Sequence, residues 1–481
     1  MMRAEKMFIG GKWVNSVSNT YFDSVNPATG QPIASIPEGV REDAQMAIQA
    51  ARQGFEQLSQ MSIWDRSKLL VSISQVISRR REELARVLTL EQGKPYYSEA
   101  LDEIDGTAMA FANAAEQIKW LETSVIPVED RNKRVLTIRQ PKGVYAVITP
   151  WNFPFMVAAE YLAPGLAAGN AIVWVPAPTT SLCAIRLAEC FEEAGVPEGV
   201  LNLVTGKGSV VGDEIVANPG TDAIGFTGST ATGHQIAVRG AGKPMLLELG
   251  GNGPTIVLKD ADLDHAANMI ASGCFYNAGQ VCSATERILV HRDIHDEFVA
   301  KLVNHAKEII MGDPFDPRTT MGPLNNEAVT LKNDMHARDC LEKGAKILIG
   351  GNRAKNQTSD LFFEPTVIVG VTEDCLYNKE ETFGPVAPVM SFSTHEEALG
   401  IAARNNWGLV SSVFTSNVKD SMYFAEKLKT GIVNINDSSN YWEAHVPFGG
   451  VAGKASGVGR IGGKYSISEM SDLKTISLDL R

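Results

Sequence analysis

The chain has 481 residues, of which 44% are hydrophobic and 21% charged, a balance typical of folded globular proteins. Its length predicts two or three domains, and its net charge of −12, with Lys and Arg scattered, argues against nucleic acid as a partner. The N-terminus lacks the apolar stretch of a signal peptide, and no apolar run is long enough to span a membrane. We therefore predict a cytoplasmic protein with no membrane partner.

The six cysteines show no paired spacing of the zinc or redox type, which predicts reduced thiols. The eight histidines form no convincing ligand set, and His291 and His295 fit a solvated helix start better than a metal site. No metal is expected.

The first quarter of the chain is predicted to be mainly helical. Apolar residues recur at helical spacing from Arg41 to Leu58, from Asp65 to Glu91 and from Ser98 to Glu122. Val135 to Arg139 is predicted as a strand. Short β-branched runs then alternate with helix candidates, at Val144 to Ile148, Ala171 to Val175, Val200 to Val204 and Ala223 to Phe226. This alternation predicts a parallel sheet with right-handed crossovers.

The same alternation begins again after Gly250. The predicted strands there are Thr255 to Leu258, Arg287 to Val290, Lys346 to Ile349 and Val410 to Phe414. Two α/β domains are therefore expected to follow one another. The tail from Ser471 to Arg481 alternates apolar and polar residues, which predicts an exposed strand. A strand without a local partner often pairs with another chain.

Three segments supply the groups that acyl-transfer chemistry on an aldehyde requires. Cys282 ends a stretch of small and polar residues, Glu248 precedes two glycines, and Asn152 lies in Thr149-Pro150-Trp151-Asn152-Phe153-Pro154. A thiolate adds to a carbonyl carbon, an amide donates to the oxyanion, and a carboxylate activates the water that cleaves a thioester. Taken singly, the three residues are equally consistent with a buried thiol, a strand-end salt bridge and a turn.

Together these segments, in this order and spacing, resemble the NAD(P)-dependent aldehyde dehydrogenase superfamily over essentially the whole chain. The resemblance implies an α/β fold with two parallel-sheet domains and a small β element. The Rossmann-like cofactor domain would comprise residues 1–122 and 143–249, the catalytic domain residues 250–464, and the oligomerisation element residues 123–142 and 465–481. It further implies a homodimer or homotetramer. Relatives that transfer the acyl group to coenzyme A or phosphate commonly lack a glutamate at position 248, which favours a free carboxylic acid as product.

The cofactor prediction centres on a glycine-rich strand-to-helix turn from Gly225 to Gly233. Such a turn lets backbone N–H groups and the positive end of a helix approach a pyrophosphate, although plain tight packing explains it equally well. The resemblance implies that NAD or NADP is held by Trp151, Gly228, Ser229, Gly233, Leu249, Glu381 and Phe383. Glu381 would bind the nicotinamide ribose. Val175 and Pro178 occupy positions where most relatives carry a Lys and many a Glu that contact the adenosine ribose, so weaker binding is expected and the choice between NAD and NADP is open.

For the substrate, the resemblance implies a tunnel lined by Phe153, Val157, Glu160, Tyr161, Trp442 and Phe448. Aromatic residues dominate this set, which favours a medium-chain or aromatic aldehyde, although the same residues also suit a protein core. Glu160 and Tyr161 stand where relatives often carry an aromatic residue and a cation, so an anionic substrate lacks an obvious partner. The alternatives are a semialdehyde or hydroxyaldehyde dehydrogenase, or a non-catalytic crystallin-like scaffold with a degraded cofactor site.

Overall fold

The computed structural model describes residues 4–481, which form a mixed α/β fold. The strands are β1 (Met7–Ile9), β2 (Lys12–Val14), β3 (Tyr21–Val25), β4 (Pro32–Pro37), β5 (Val125–Ile126), β6 (Lys133–Pro141), β7 (Val144–Thr149), β8 (Ala171–Pro176), β9 (Leu201–Leu203), β10 (Ala223–Thr227), β11 (Met245–Glu248), β12 (Pro254–Val257), β13 (Arg287–His291), β14 (Lys346–Ile349), β15 (Thr366–Val369), β16 (Val386–Phe392), β17 (Val410–Phe414), β18 (Ile432–Ile435), β19 (Gly457–Val458) and β20 (Ser471–Asp479).

Most of the helices beyond β7 lie between successive strands. The helices are α1 (Arg41–Gln60), α2 (Ile63–Arg79), α3 (Arg81–Gln92), α4 (Leu101–Gln117), α5 (Met156–Ala168), α6 (Ser181–Glu193), α7 (Asp213–Ala217), α8 (Thr230–Arg239), α9 (Leu263–Phe275), α10 (His295–Glu308), α11 (Glu327–Glu342), α12 (Leu376–Lys379), α13 (His395–Ala403), α14 (Val418–Lys427) and α15 (Gly463–Glu469). The predicted strands and helices are present with nearly the same bounds, except that the helix predicted from Asp65 to Glu91 is divided between α2 and α3.

Two parallel sheets organise the fold, and the predicted α/β class is confirmed. The first sheet has the order β19-β11-β10-β7-β8-β9-β1-β2, and its strands from β11 to β9 are parallel. The second has the order β14-β15-β16-β13-β12-β17-β18 and is parallel apart from β14. The strand β19, which the domain prediction assigns to the catalytic domain, pairs with β11 of the first sheet. The domain boundaries stay a prediction.

The prediction of a mainly helical first quarter is wrong for the residues before α1. Two hairpins, β1 with β2 and β3 with β4, occupy this region. These strands are three to six residues long, too short for an alternating pattern to stand out. The strand β16 was also missed, because Pro388 lies inside it and proline normally argues against a central strand.

The C-terminal tail is a strand, as predicted, and most of its side chains are exposed. Its partner lies within the chain, because β20 pairs antiparallel with β6 from Ser471↔Pro141 to Asp479↔Lys133, and β5 completes the sheet on the other side of β6. The tail thus has no partner nearby in sequence, as expected, and pairs with a strand of the segment 123–142 with which it was grouped. Assembly into a homodimer or homotetramer stays a prediction.

Side chains of the first sheet enter two different apolar cores on its opposite faces. On β8, Ile172 and Trp174 join one core with α4, α5 and α6, while Val173 and Val175 join another with α1. This alternation is the expected period of a strand buried on both faces. No helix among residues 4–481 is long and apolar enough to cross a membrane. Within the same residues no group of three or more His, Cys, Asp or Glu could hold a metal ion, and all six cysteines are free.

Candidate active site

A cavity of about 430 Å³ opens where β7, β10 and β11 of the first sheet end. The three predicted catalytic residues, Asn152, Glu248 and Cys282, all line it. The other predicted site residues in its wall are Trp151, Phe153, Val157, Glu160, Gly228, Ser229, Leu249, Glu381, Phe383, Trp442 and Phe448. The carboxyl ends of parallel strands are the usual place for a ligand in open α/β sheets. Residues far apart in sequence therefore share one enclosed space.

Cys282 reaches the cavity through an irregular turn after α9. Asn277, Ala278 and Gly279 have φ values of 50°, 53° and 71°, so three successive residues adopt left-handed backbone. Two features require glycine at position 279: its φ is positive, and a Cβ there would collide with the backbone oxygen of Gly384. The Cys282 side chain is half-buried. Its burial raises the pKa of the thiol to about 12, with the charges of Glu248 and Glu381 adding to the effect.

Glu248 ends β11 as a buried carboxyl group without a hydrogen-bond partner. The residue is 2% exposed, and neither carboxyl oxygen has a partner among the described residues. Burial raises the pKa of Glu248 well above its ordinary value, and the positive charge of Arg460 opposes the shift. A carboxyl group in this state takes up a proton readily. Once ionised, it therefore has the properties of a general base.

Asn152 is held both through its side chain and through its backbone oxygen. Its Nδ2 donates to the backbone oxygen of Gln280 at 3.0 Å. Its own backbone oxygen accepts from Asn277 Nδ2 at 3.1 Å and from Lys94 Nζ at 3.1 Å. Because a side-chain amide carries two hydrogens, one is still available to an oxygen atom in the cavity. The arrangement can supply an oxyanion donor beside the Cys282 thiol.

A buried ion pair between Lys94 and Glu103 supports this arrangement. The two side chains are fully buried, and Lys94 Nζ lies 2.6 Å from Glu103 Oε2. Glu103 Oε1 also accepts from the backbone N–H groups of Phe155 and Met156 at 3.0 and 3.2 Å, where α5 begins. Lys94 thus joins the end of α3, the start of α4 and the loop that carries Asn152.

Sequence reasoning missed Lys94, Glu103 and Asn277. A usable signal was the polar run Glu91-Gln92-Gly93-Lys94 at the end of α3. All four of these residues are buried in the structure. Buried polar residues of this kind need partners, and functional loops commonly supply them.

A second buried carboxylate holds the segment that carries Glu381 and Phe383. Glu286 accepts from the backbone N–H groups of Thr382 at 2.8 Å and Phe383 at 2.7 Å. Glu381 Oε1 accepts from the Gly251 backbone at 2.9 Å, which leaves its other oxygen for a ligand. Phe383 has a φ of 61° and packs edge-on against Trp151 with ring centroids 5.5 Å apart. Glu286 was another residue without a recognised signal in the sequence.

The glycine-rich turn forms the start of α8. Ser229 caps the helix, with its hydroxyl accepting from the Thr232 N–H at 3.3 Å. Gly233 faces Leu249 so closely that a Cβ would collide with the leucine side chain. The positive end of this helix is therefore directed toward the end of β11 and can receive a pyrophosphate. Together with the Glu381 carboxyl group, one oxygen of which is held by the Gly251 N–H, these residues fit a dinucleotide.

Four predicted site residues, Gly233, Val175, Pro178 and Tyr161, lie outside the cavity wall. Val175 is 1% exposed and faces the apolar core beneath α1, so its side chain offers nothing polar to a cofactor. Pro178 is exposed and opens a short helical turn, likewise without a charged group.

The prediction that Tyr161 lines the substrate tunnel is corrected by its contacts. The Tyr161 residue is fully buried, and its hydroxyl donates to the Phe226 backbone oxygen at 2.9 Å. It also lies 2.8 Å from the hydroxyl of Thr227, which does line the cavity. Tyr161 therefore fixes the end of β10 and contacts the cavity through Thr227.

The far part of the cavity has aromatic walls and one buried acidic side chain. Phe153 stacks with Tyr276 at 6.1 Å, and Trp442 meets Phe448 edge-on at 5.7 Å between ring centroids. Glu160 is 4% exposed, and its Oε1 has no hydrogen-bond partner among residues 4–481. No Lys, Arg or His is found among the described residues of the cavity wall. Lining residues that sequence reasoning did not name include Asp102, Met156, Tyr276 and Ile461.

Comparison with known proteins agrees with this geometry. The model of the aldehyde dehydrogenase family matches residues 13–476. A lactaldehyde dehydrogenase from Methanocaldococcus jannaschii is 41% identical over 98% of this chain and 99% of its own length. A succinate-semialdehyde dehydrogenase [NADP(+)] from Escherichia coli is 37% identical, covering 99% of this chain and 98% of the relative. The crystal structure of a betaine aldehyde dehydrogenase from Staphylococcus aureus in complex with NAD+ superposes with a TM-score of 0.96 at 36% identity, covering 99% of this chain and 95% of the other.

Proposed function

The chain belongs to the aldehyde dehydrogenase family, and from this premise we propose that it oxidises a medium-chain or aromatic aldehyde to the carboxylic acid with NAD or NADP. One observation carries the proposal: Cys282, Glu248 and Asn152 line the same cavity, although they come from three separate segments of the chain. The aromatic walls support the proposed size and apolar character of the substrate. Both cofactors occur among the similar proteins: one relative is named as an NADP(+) enzyme, and one crystal structure is a complex with NAD+.

The first step requires the Cys282 thiol to lose its proton. Its raised pKa means that a base must take that proton as the sulfur approaches the carbonyl carbon. We assign this proton to water in the open cavity, so Glu248, whose oxygens have no partner in the described chain, is left for the second half of the reaction. The new carbon–sulfur bond leaves an oxyanion, which the free hydrogen of the Asn152 amide stabilises.

Glu381, Ser229 and the start of α8 would hold the dinucleotide at the other side of the cavity. When bound there, NAD or NADP would supply the hydride acceptor for the carbon attached to Cys282, and loss of that hydride would leave a thioester on the cysteine. The half-buried Trp151–Phe383 contact gives this side of the cavity an apolar wall. Val175 and Pro178 supply no charged group, so neither residue repels a 2′-phosphate or binds one.

The second half of the reaction is hydrolysis. Glu248 takes a proton from the water that attacks the thioester carbon and passes it to the departing sulfur, so Cys282 leaves as the thiol. The product is a free acid. A glutamate at this place therefore favours hydrolysis over transfer to another acceptor.

Two other substrate classes follow from the relatives. A hydroxyaldehyde is supported by the lactaldehyde dehydrogenase at 41% identity, and its hydroxyl group would have Glu160 as an acceptor. An anionic semialdehyde has less support, since the described cavity wall contains no cationic side chain. Intact Cys282, Glu248 and Asn152 argue against a non-catalytic scaffold. The cytoplasmic location stays a prediction.

The test is to measure reduction of NAD and of NADP, in parallel, across a panel of apolar, aromatic, hydroxylated and carboxylated aldehydes. The proposal expects saturable, aldehyde-dependent reduction with an acid product, fastest for the medium-chain or aromatic members. Folded protein that binds cofactor but oxidises no aldehyde would contradict it and would favour the scaffold.

A further inference from the structure

We propose that Glu286 is a positioning residue for hydride transfer, because its buried carboxylate fixes the segment 381–383 relative to Cys282. The inference rests on the proposed aldehyde oxidation and adds a residue to the first half of that reaction. It is carried by the backbone groups that Glu286 accepts from, by the segments that these bonds connect, and by the left-handed backbone of Phe383.

Glu286 stands directly before β13 and is only 5% exposed. Its Oε1 accepts from the backbone N–H groups of Thr382 at 2.9 Å and Phe383 at 2.7 Å. Its Oε2 accepts from the Thr382 N–H at 2.8 Å and from Asn252 Nδ2 at 3.0 Å. Burial raises the pKa of Glu286, and the two backbone donors oppose the shift. A carboxylate accepts at both oxygens, which a neutral amide cannot do, so all three donors depend on it.

These bonds connect three segments of the active site. Glu286 follows Cys282 by four residues in the chain. Asn252 follows Gly251, whose backbone N–H donates to Glu381 Oε1 at 2.9 Å. The backbone at Gly251 is also close to the nucleophile, since a Cβ there would collide with the backbone oxygen of Cys282. Glu286 therefore holds the expected ribose-binding residue at a fixed place relative to the nucleophile.

Phe383 shows why this segment needs to be held from outside. Its φ of 61° is left-handed, a conformation that costs free energy in a residue with a side chain. Glu286 accepts from its N–H, and its ring packs against Trp151 in the cavity wall. Without the carboxylate, the backbone would relax and Glu381 would shift with it. Because reaction rates depend steeply on the alignment of the reacting atoms, such a shift should slow hydride transfer more than it weakens cofactor binding.

The kinetic test measures the burst of reduced cofactor in the Glu248→Gln background, where slow hydrolysis isolates the steps up to hydride transfer. Adding Glu286→Gln leaves one acceptor oxygen for the three donors and places an NH2 group against them. At saturating cofactor, we expect the burst rate constant to fall by roughly 10- to 100-fold and to become more sensitive to deuterium at the aldehyde carbon. The cofactor dissociation constant should rise by a smaller factor. An unchanged burst rate constant would overturn the inference.

Asp43→Asn is the matched control, because Asp43 is a buried carboxylate that holds backbone away from the cavity. It is fully buried, accepts from the N–H groups of Val17 and Val40 at 2.9 Å each, and does not belong to the described cavity wall. In the Glu248→Gln background, Asp43→Asn should leave the burst rate constant unchanged. An equal fall in both double variants would reveal a general loss of stability and would refute the positioning role.

Hydrogen exchange in the cofactor-free enzyme tests the hold on the segment without any turnover. In Glu286→Gln, the amide hydrogens of Thr382 and Phe383 lose their charged acceptor and should exchange faster, by roughly tenfold or more. Mass spectrometry of peptides that cover residues 380–384 measures this rate. Asp43→Asn should leave the exchange of these peptides unchanged. Wild-type exchange rates in Glu286→Gln would contradict the inference.

A second variant covers the case in which Glu286→Gln fails to fold. Glu286→Asp keeps the charge and shortens the side chain, so its oxygens reach the Thr382 and Phe383 N–H groups less closely. The burst rate constant should fall in the same direction by a smaller factor, and an unchanged value would overturn the inference. The proposed function fails in a different way, since the wild-type enzyme would then reduce no cofactor with any aldehyde.

Discussion

Around Asn152 and Cys282 the chain is held by buried polar contacts, whereas at the end of β8 it offers a cofactor only apolar side chains. At the first place, Lys94, Glu103 and Asn277 connect three segments through bonds of 2.6 to 3.1 Å. At the second, Val175 faces the core and Pro178 has no hydrogen-bonding side chain. The difference indicates that precise placement is concentrated where bonds are made and broken, while the adenosine end depends on backbone and helix geometry. Changes at the two ends should therefore differ in kind as well as in size.

The largest effect is expected at the reacting atom itself. Cys282→Ala removes the nucleophile and should lower aldehyde oxidation by more than about 1,000-fold, because no thiohemiacetal can form. The fold and cofactor binding should be nearly unchanged, which thermal unfolding with and without cofactor can measure. Retention of more than a small fraction of wild-type turnover would remove Cys282 from the mechanism.

Glu248→Gln should separate the two halves of the reaction. With hydrolysis slowed by roughly 100-fold or more, a burst of reduced cofactor should precede a slow steady state whenever hydride transfer is fast. Rapid mixing with absorbance detection resolves the two phases. A proportional loss of burst and steady state would assign Glu248 to the first step alone.

The wild-type pH profile provides a second test of Glu248. Its pKa is raised by burial, so the ionised, proton-accepting form becomes more abundant as pH rises through a range well above that of an ordinary glutamate. Steady-state turnover should rise over the same range, and the part of the rise that belongs to this group should be absent in Glu248→Gln. Identical pH profiles for the two enzymes would contradict the role of general base.

Lys94→Met tests whether the buried network positions the amide of Asn152. Removing one partner leaves Glu103 as an unpaired buried charge, which should cost about 3–5 kcal/mol in the free energy of unfolding. We also expect kcat to fall by roughly tenfold with little change in cofactor KM, because Asn152 loses a contact to its backbone oxygen. The double variant Lys94→Met/Glu103→Gln should recover part of the stability. Unchanged kcat in a folded Lys94→Met enzyme would limit the pair to a structural role.

Much of the fold and the reacting residues could be predicted from the chain, because both leave local signals. Strands such as β7 and β8 are continuous apolar runs, and Cys282, Glu248 and Asn152 belong to recognisable segments. The supporting residues left weaker signals. Glu286 and Lys94 act through partners more than 50 positions away in sequence, as in the bonds from Lys94 to Asn152 and from Phe383 to Glu286. Tyr161 was misplaced because the resemblance assigned it to the tunnel by its position in the chain, which does not show which face of α5 meets the cavity.

The smallest effect is expected at the adenosine end. Val175→Lys places an ammonium beside the expected ribose site, and a charge-assisted hydrogen bond there should lower the cofactor KM by roughly tenfold. We expect a tenfold decrease in KM and not a larger one because the lysine must extend out of an apolar core to reach the ribose. The gain should be at least as large for NADP as for NAD, with aldehyde preference unchanged. Val175→Met, of similar length without charge, is the matched control, and equal KM values for the two variants would show that the cofactor does not lie along β8.

The covalent intermediate offers the most direct test of the account. Glu248→Gln enzyme mixed with aldehyde and cofactor, quenched in acid during the slow steady state and digested, should yield the peptide containing Cys282 with the added mass of the acyl group. The same treatment of Cys282→Ala should leave that peptide unmodified. An unmodified Cys282 peptide in Glu248→Gln enzyme that has completed its burst would contradict the thioester mechanism.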